Sequence, residues 1–231
     1  MSELLAGLAS VKGNIEAAAL RAGRDAGEIE LVAVSKTHPP EAVLEAMDAG
    51  QLLFGESRVQ EARVKIPLVP GRARWHFIGH LQKNKIRHAL PLFELFHGVD
   101  SAALAEEMNR VAEEMGLYPR VLLEVNMAGE SSKFGFTPEG LRGELEGLLA
   151  LDRVQVEGLM TIAPLAPDGE ASRKYFKGLR ELRDELQEAG GAPLKALSMG
   201  MSQDYAVAVE EGATLVRVGT AIFGARGKGA G

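Results

Sequence analysis

The sequence contains no cysteine among its 231 residues. This absence excludes disulfides, thiolate metal sites, iron–sulfur clusters and a cysteine nucleophile. A chain without disulfides suits a reducing compartment, so we expect a cytoplasmic location.

Excess positive charge is also lacking, since 26 Lys+Arg residues stand against 32 Asp+Glu residues and the formal net charge is -6. The chain therefore has no overall basic field to hold nucleic acid or an anionic membrane, and an anionic ligand requires a local site. Long apolar runs are lacking too, because Glu124 directly follows residues 121–123, and residues 1–10 show no secretory-signal pattern. We expect a soluble protein that binds neither nucleic acid nor membrane.

Short β-branched segments alternate with helical patterns along the chain. An opening helix places Leu4, Leu8, Val11, Ile15 and Ala18 on one stripe. Eight strands are predicted, at residues 29–36, 51–55, 74–79, 92–99, 120–127, 154–162, 195–199 and 214–218. Further helices are predicted from Pro39 to Gly50, at residues 59–69, 83–89, 101–116, 138–149, 170–189 and 202–212, and from Thr220 onward.

This alternation predicts a parallel sheet, and eight such units in roughly 200 residues fit a single (β/α)8 TIM-type barrel with an extra N-terminal helix. An open doubly wound sheet is the alternative, although no G-x-G-x-x-G turn follows the first strand. Because the sequence shows no linker, we expect residues 1–226 to form one domain and residues 227–231 to form a disordered tail.

Lys36 lies at the C-terminal end of the first predicted strand, where a parallel barrel builds its active site. One interpretation is a lysine whose stem follows the barrel rim while its ammonium stays in water. The other is a Schiff-base lysine, whose amine loses its proton to attack an aldehyde. Burial and a nearby cation such as Arg217 would lower its pKa toward that state.

Two late segments predict a phosphate-binding turn pair. Residues 198–202 (SMGMS) and the pair Gly219 and Thr220 follow the seventh and eighth strands, where barrels of this type bind phosphate. Both combine small or hydroxyl residues with the start of a helix, whose free N–H groups favour an anion. The alternative is that Ser202 and Thr220 only cap their helices.

Arg217 precedes the second of these turns by two residues, so its side chain could face a ring whose phosphate that turn holds. A guanidinium only donates hydrogen bonds, so a pyridine nitrogen facing it stays neutral, which weakens the ring as a carbanion sink. The alternative is an ion pair at the barrel rim.

No metal site is predicted. His76 lies in the predicted strand at residues 74–79 and His80 directly follows it, and residues four apart along a strand are separated by roughly 13 Å. His38, His88 and His97 lack ligand-like spacing, and we expect surface or core roles for them.

Several separated motifs resemble the pyridoxal phosphate homeostasis protein family, in the order of that family and over residues 4–226. They are residues 33–37 (AVSKT), 54–56 (FGE), 75–85 (WHFIGHLQKNK), 124–126 (EVN), 158–162 (GLMTI), 197–202 (LSMGMS) and 216–224 (VRVGTAIFG).

The resemblance implies a barrel similar to the N-terminal domain of alanine racemase, with pyridoxal 5′-phosphate as cofactor. It implies that Lys36 forms the internal aldimine and that Arg217 meets the pyridine nitrogen. It also implies a phosphate set and a group of pocket-wall residues: Ser198, Met199, Gly219 and Thr220 for the phosphate, and Asn126, Met160 and His80 for the wall. Where the family commonly has Asn after its Phe-Gly-Glu motif, this chain has Ser57, whose shorter side chain is expected to lose that cofactor contact or make it through water.

The resemblance also implies intracellular vitamin B6 homeostasis, without a dedicated catalytic reaction. A racemase would bring a catalytic tyrosine from a second domain, whereas Tyr118, Tyr175 and Tyr205 are predicted on helices or their edges. The competing hypotheses are a pyridoxal-phosphate-dependent amino-acid racemase and a barrel enzyme acting on a phosphosugar. For the homeostasis protein we expect a monomer that passes its cofactor to apoenzymes.

Overall fold

Eight parallel strands close into a barrel in chain order, with β1 pairing with both β2 and β8. The computed structural model describes residues 2–130, 134–190 and 194–224. Its strands are β1 (Glu30–Val34), β2 (Leu53–Glu56), β3 (Arg74–Phe77), β4 (Leu95–Val99), β5 (Arg120–Glu124), β6 (Gln155–Met160), β7 (Ala196–Ser198) and β8 (Leu215–Val218). The predicted barrel is confirmed, and the open sheet is excluded.

The described helices surround this barrel. They are α1 (Glu3–Arg21), α2 (Pro40–Asp48), α3 (Val59–Lys65), α4 (Ile86–Ala89), α5 (Ala102–Met115), α6 (Pro138–Leu149), α7 (Arg173–Gly190), α8 (Tyr205–Glu210) and α9 (Thr220–Phe223). Short 3₁₀ segments occupy Ala26–Glu28, Ile66–Leu68, Lys83–Lys85 and Gly169–Ser172.

Some predicted boundaries were wrong, each for a local reason. The third helix ends at Lys65 rather than residue 69, because Pro67 lacks an N–H and tightens the chain into a 3₁₀ turn. The eighth helix begins at Tyr205 rather than at residue 202, since residues ahead of it form a turn in which the Met201 N–H donates to Asp204 Oδ1 (2.7 Å).

Local interactions define the ends of α5 and α6. Thr137 Oγ1 accepts from the Gly140 N–H (3.0 Å) at the start of α6, and Pro138 is its first helical residue. Gly116 ends α5 with φ 69°. Ser101 occupies the N-cap position of α5 but its hydroxyl donates to Asp100 Oδ1 (3.1 Å) instead of capping the helix.

The predicted N-terminal helix packs its apolar stripe onto the outer helices α2, α8 and α9. Leu8, Val11 and Ile15 are buried on that face. Gly7 permits close approach, because a Cβ at this position would lie 2.5 Å from the Ala221 carbonyl oxygen. The helix therefore braces α9, the short helix that follows the last strand.

Alternate residues of the strands point into the barrel, as the two-residue period of a strand requires. The buried interior contains an apolar cluster separate from the larger core between strands and helices: Val32, Leu53, Leu95, Leu122, Met160 and Leu215. The polar residues that follow the strand ends are thereby left to line one mouth of the barrel.

None of the helices in the described part of the chain has the length and apolar character needed to span a bilayer. The extent of the single domain, residues 1–226, stays a prediction. Residues 227–231, predicted to be a disordered tail, lie outside the described residues.

Candidate functional site

A cavity of about 590 Å³ opens at the carboxyl ends of the strands. Four of the predicted site residues line it: Lys36, Arg217, Gly219 and Thr220. One wall is the apolar loop that follows β6, including Ile162 and Leu165. Leu165 is 88% exposed, so this wall also meets solvent.

Lys36 stands in a turn two residues beyond the end of β1. The prediction of a strand that continues through Lys36 was therefore wrong, because the backbone leaves the sheet after Val34 and turns at Thr37, whose φ is 67°. The turn places Lys36 half-buried in the cavity lining rather than wholly in solvent at the rim.

Arg217 lies on β8 opposite Val32 and is buried. Its guanidinium donates to Ser198 Oγ and to the Thr161 carbonyl oxygen (2.9 Å). Burial lowers the pKa of Arg217 to about 10, although the nearby Glu124 and Asp204 carboxylates oppose this effect. The side chain remains a cation at neutral pH, and among the described carboxylates none forms the predicted rim ion pair with it.

A buried chain of hydrogen bonds runs from Arg217 into the barrel interior. Ser198 Oγ lies 2.8 Å from His97 Nδ1, and His97 Nε2 lies 3.0 Å from His76 Nδ1. Because a guanidinium can only donate, the Ser198 hydroxyl accepts from Arg217 and keeps its own hydrogen for a second bond. His97 Nε2 and His76 Nδ1 share one hydrogen, and His76 Nε2 has no hydrogen-bond partner among the described residues.

Both histidines of this buried hydrogen-bond chain, His76 and His97, are neutral. Burial lowers the pKa of His76 to about 3, helped by the charges of Arg74 and Arg120. Burial lowers the pKa of His97 well below its usual value, with His76 and Arg217 adding to the effect. The predicted core or surface role of His97 is thus a core role. The hydrogen-bond chain itself was not predicted, and its only sequence signal is that His76 and His97 each occupy an inward position of a strand.

Ser202 connects the two turns predicted to bind phosphate. Its Oγ lies 3.3 Å from the Gly219 N and 3.5 Å from the Ala221 N, both of which donate to it. The alternative capping roles were wrong, because Asp204 precedes α8 and Thr220 is already the first residue of α9. Gly200 turns the chain between these segments with φ 90°, where a Cβ would lie 2.5 Å from that of Ala208.

The other predicted residues do not line the cavity among its described residues. Ser198 and Met199 are fully buried behind it, with the Ser198 hydroxyl committed to Arg217 and His97. Met160 is buried in the apolar cluster of the barrel interior. Ser57 is half-buried after β2.

His80 and Asn126 follow β3 and β5. His80 Nδ1 lies 2.8 Å from Asp100 Oδ2, and its ring stacks on Phe134 with centroids 4.1 Å apart. Asn126 Nδ2 donates to the Glu130 carbonyl oxygen (2.8 Å), and its buried Oδ1 has no hydrogen-bond partner in the described part of the chain. Within the described residues, three or more His, Cys, Asp or Glu side chains nowhere converge as metal ligands would.

Comparisons with known proteins give the same family as the motifs. The sequence profile of the family "Alanine racemase, N-terminal domain" matches residues 7–227. The pyridoxal phosphate homeostasis protein of Aquifex aeolicus is 44% identical over 95% of this chain and 96% of its own length. The chain belongs to the pyridoxal phosphate homeostasis protein family. The protein of that name from Pseudomonas aeruginosa is 42% identical over 100% of this chain and 99% of its own.

Solved structures place this pyridoxal phosphate homeostasis family member among barrels of the same shape. PipY of Synechococcus elongatus, solved with PLP bound, superposes with a TM-score of 0.82 at 42% identity, covering 96% of this chain and 100% of that chain. An alanine racemase of Clostridium difficile superposes with a TM-score of 0.76 at 18% identity, and the match covers 56% of that chain. The second likeness shows a shared fold alone.

The neutral histidines predict a loss of stability in acid. Below pH 6.5 the unfolded chain protonates these side chains, whereas buried His76 takes up a proton only at a pH of about 3. For His76, the free energy of unfolding falls by about 1.4 kcal/mol per pH unit between these limits. Denaturant titrations across this range should therefore show a shallower loss for His76→Gln than for the wild type. An unchanged slope would contradict the account.

Proposed function

We propose that the chain binds pyridoxal 5′-phosphate in this cavity through Lys36 and holds it in an exchangeable form, as part of intracellular vitamin B6 homeostasis and without a dedicated reaction. The observation that carries the proposal is the meeting of one lysine, one buried arginine and a pair of N–H-bearing turns around a single cavity. These three groups match the aldehyde, the ring nitrogen and the phosphate of this cofactor.

The donor set fits the cofactor chemically. Pyridoxal phosphate supplies an aldehyde that condenses with a primary amine with loss of water, a basic ring nitrogen and a dianionic phosphate. Lys36 provides the amine from the lining of the cavity. The turn after β1 keeps it there, since the backbone that carries it is anchored on the sheet by Ser35, whose N–H donates to the Gly55 carbonyl oxygen (3.1 Å).

Arg217 supports a carrier rather than a reactive centre. Two of its nitrogens are occupied by Ser198 and Thr161, but a guanidinium has five N–H donors, and Arg217 still lines the cavity. The protonated guanidinium cannot accept a hydrogen bond and does not lose its proton at neutral pH. A ring nitrogen that faces it therefore stays unprotonated and accepts a hydrogen bond. A neutral ring stabilises a carbanion poorly, which disfavours proton abstraction from a bound amino acid.

The phosphate would be held by the turns joined at Ser202. The N–H groups of Gly219 and Ala221 point at one oxygen, and the contacts to it are long for N–H···O bonds. A phosphate oxygen that takes over these donors would leave the Ser202 hydroxyl free to donate to it as well. Thr220 adds a second hydroxyl to the cavity lining.

The remaining residues are proposed to act at the edge of the site or through others. Ser198 would act through Arg217, since its own hydroxyl is already committed. Met199 and Met160 would support the turns and the ring from the core. His80, Asn126 and Ser57 would border the site from the strands β3, β5 and β2.

An amino-acid racemase is not supported by the side chains around the cavity. Proton transfer on a second face of the substrate needs an acid or base such as tyrosine. Tyr118 is 55% exposed, Tyr205 is buried with its hydroxyl oxygen accepting from Asn14, and Tyr175 lies on α7; the described cavity lining includes none of them.

The open cavity supports a wider role in passing the cofactor on. Leu165 and Met201 line it and are exposed, so a bound molecule can leave through solvent. We propose that apoenzymes dependent on pyridoxal phosphate receive the cofactor in this way. We also propose that the protein is a monomer and acts in the cytoplasm, where a chain with no cysteine meets no redox constraint.

Lys36→Ala is expected to abolish covalent capture. After incubation with pyridoxal phosphate and reduction by borohydride, peptide mass spectrometry should find the adduct on Lys36 in the wild type and none in the variant. Lys83→Ala provides the control, because Lys83 is an exposed lysine in the segment after β3. An adduct on another residue of the wild type, at equal yield, would refute the proposed function.

Ser202→Ala is expected to weaken binding only for a phosphorylated ligand. Losing one hydrogen bond to a charged group costs about 2 kcal/mol, which corresponds to a roughly thirtyfold higher dissociation constant for pyridoxal phosphate. Affinity for pyridoxal, which lacks the phosphate, should stay within about twofold. Titrations followed by absorbance give both constants. Equal losses for the two ligands would show that Ser202 does not meet the phosphate.

Loaded protein is expected to activate a pyridoxal-phosphate-dependent apoenzyme. Because the cavity opens to solvent, activity should rise when loaded wild type is mixed with the apoenzyme, and not when Lys36→Ala, treated and gel-filtered in the same way, is added. Enzyme activity against time measures the transfer. A loaded wild type that retains its cofactor while the apoenzyme stays inactive would contradict the delivery role.

A further inference from the structure

The backbone beside Lys36 has an unfavourable conformation. Among the described residues, Thr37 is the only one other than glycine with positive φ, at 67°. A β-branched residue rarely adopts this left-handed region, and such a conformation persists only where its surroundings impose it. Contacts from outside the turn must therefore hold Thr37 in this conformation.

Side-chain hydrogen bonds hold the turn on both sides of Lys36. The Thr37 N–H donates to Glu61 Oε1 (2.6 Å), and the Ser35 carbonyl oxygen accepts from Lys65 Nζ (2.8 Å). Glu61 and Lys65 both belong to α3 and form an i,i+4 pair of their own (2.8 Å). Helix α3 thus forms hydrogen bonds with the residue before Lys36 and with the residue after it.

Lys65 is the centre of this arrangement. Its ammonium has three N–H donors, and it contacts three oxygens: Ser35 O, Glu61 Oε1 and Glu56 Oε1, the last at 2.6 Å. Glu56 Oε1 also accepts from the Ser35 hydroxyl (2.8 Å). We call Ser35, Glu56, Glu61 and Lys65 the Lys65 clamp.

The Lys65 clamp lies behind the cavity, not in it. The Lys65 side chain is 5% exposed and that of Glu56 is fully buried, and neither belongs to the described cavity lining. Hydrogen bonds between charged groups are strong in such a setting, where water does not compete. Lys65 is thus a second lysine next to the site whose amine is committed to holding the backbone.

We propose that the Lys65 clamp is a positioning device that holds the Lys36 turn so that the Lys36 amine meets the aldehyde of the ligand. This inference rests on the proposed function of Lys36. Lys65, Glu56 and Glu61 act through the backbone of residues 35–37 and contact no ligand. When the hydrogen bonds from the Lys65 clamp to residues 35–37 are lost, the turn relaxes. The Lys36 amine then spends less time in the position where it can react.

Glu61 offers the most informative pair of variants, because its side chain is partly exposed. When Glu61 is replaced, the buried Lys65 ammonium keeps its ion pair with Glu56. Glu61→Gln keeps an oxygen that can accept from the Thr37 N–H, whereas Glu61→Ala removes it. Lys65→Met removes the centre of the clamp at similar side-chain length. Glu181→Ala, which breaks the exposed i,i+4 pair with Lys177 on α7, is the matched control.

Two ligands separate positioning from general damage. Pyridoxal phosphate reports the rate of adduct formation on Lys36, trapped by borohydride and counted by mass spectrometry. 4-Deoxypyridoxine 5′-phosphate has the same ring and phosphate but no aldehyde, so its affinity reports the rest of the site. Circular dichroism of each variant fixes the folded fraction.

Glu61→Ala and Lys65→Met are expected to slow adduct formation at least about tenfold, while Glu61→Gln and Glu181→Ala stay within about twofold of the wild type. Affinity for the aldehyde-free ligand should change less than about twofold in all four. Unchanged rates in folded Glu61→Ala, or equal losses for both ligands, would overturn the positioning role. A wild type that forms no adduct on Lys36 would instead refute the proposed function and, with it, this inference. Should Lys65→Met fail to fold, the two Glu61 variants decide alone.

Discussion

The candidate site depends on the closure of the barrel between its first and last strands. Val32 pairs with Arg217 and Ala33 with Val218, so the turns that follow β1 and β8 emerge side by side although more than 180 residues separate them in the chain. The approach is close, because a Cβ at Gly219 would lie 3.3 Å from the Val34 carbonyl oxygen. Lys36, which follows one strand, and the turn at Gly219 and Thr220, which follows the other, thereby line one cavity.

The barrel interior also depends on the hydrogen bonds that Arg217 makes. A fully buried cation requires acceptors, which it finds in Ser198 and Thr161. The Ser198 hydroxyl also contacts His97, and His97 contacts His76, so the arginine and these three side chains form one buried chain of hydrogen bonds. Ser198, predicted to contact phosphate through its position in the SMGMS motif, thus hydrogen bonds to the buried arginine, and the proposed phosphate contact lies at Ser202 and the backbone of the neighbouring turn.

The sequence predicted the barrel and the mouth of the cavity well, because both depend on local periodicity and on chain order. Alternating strands and helices determine a parallel barrel, and strand ends then meet at one mouth. Residues whose role depends on burial and register could not be found in this way. Glu61 and Lys65 have the i,i+4 spacing of an ordinary solvated helix pair, and only the packing of α3 over the β1 turn shows that Lys65 is buried there. Likewise, the turn at Thr37 was not predicted, and a strand was predicted to continue through Lys36 instead, because the turn contains no glycine that would indicate it in the sequence.

The most direct test is a crystal structure of the wild-type protein grown with pyridoxal phosphate. The account predicts continuous electron density from Lys36 Nζ to the ligand, with the ring nitrogen facing Arg217 and the phosphate between Ser202 and Thr220. Density for the ligand elsewhere on the molecule, or in this cavity with its phosphate turned away from Gly219, would contradict the account.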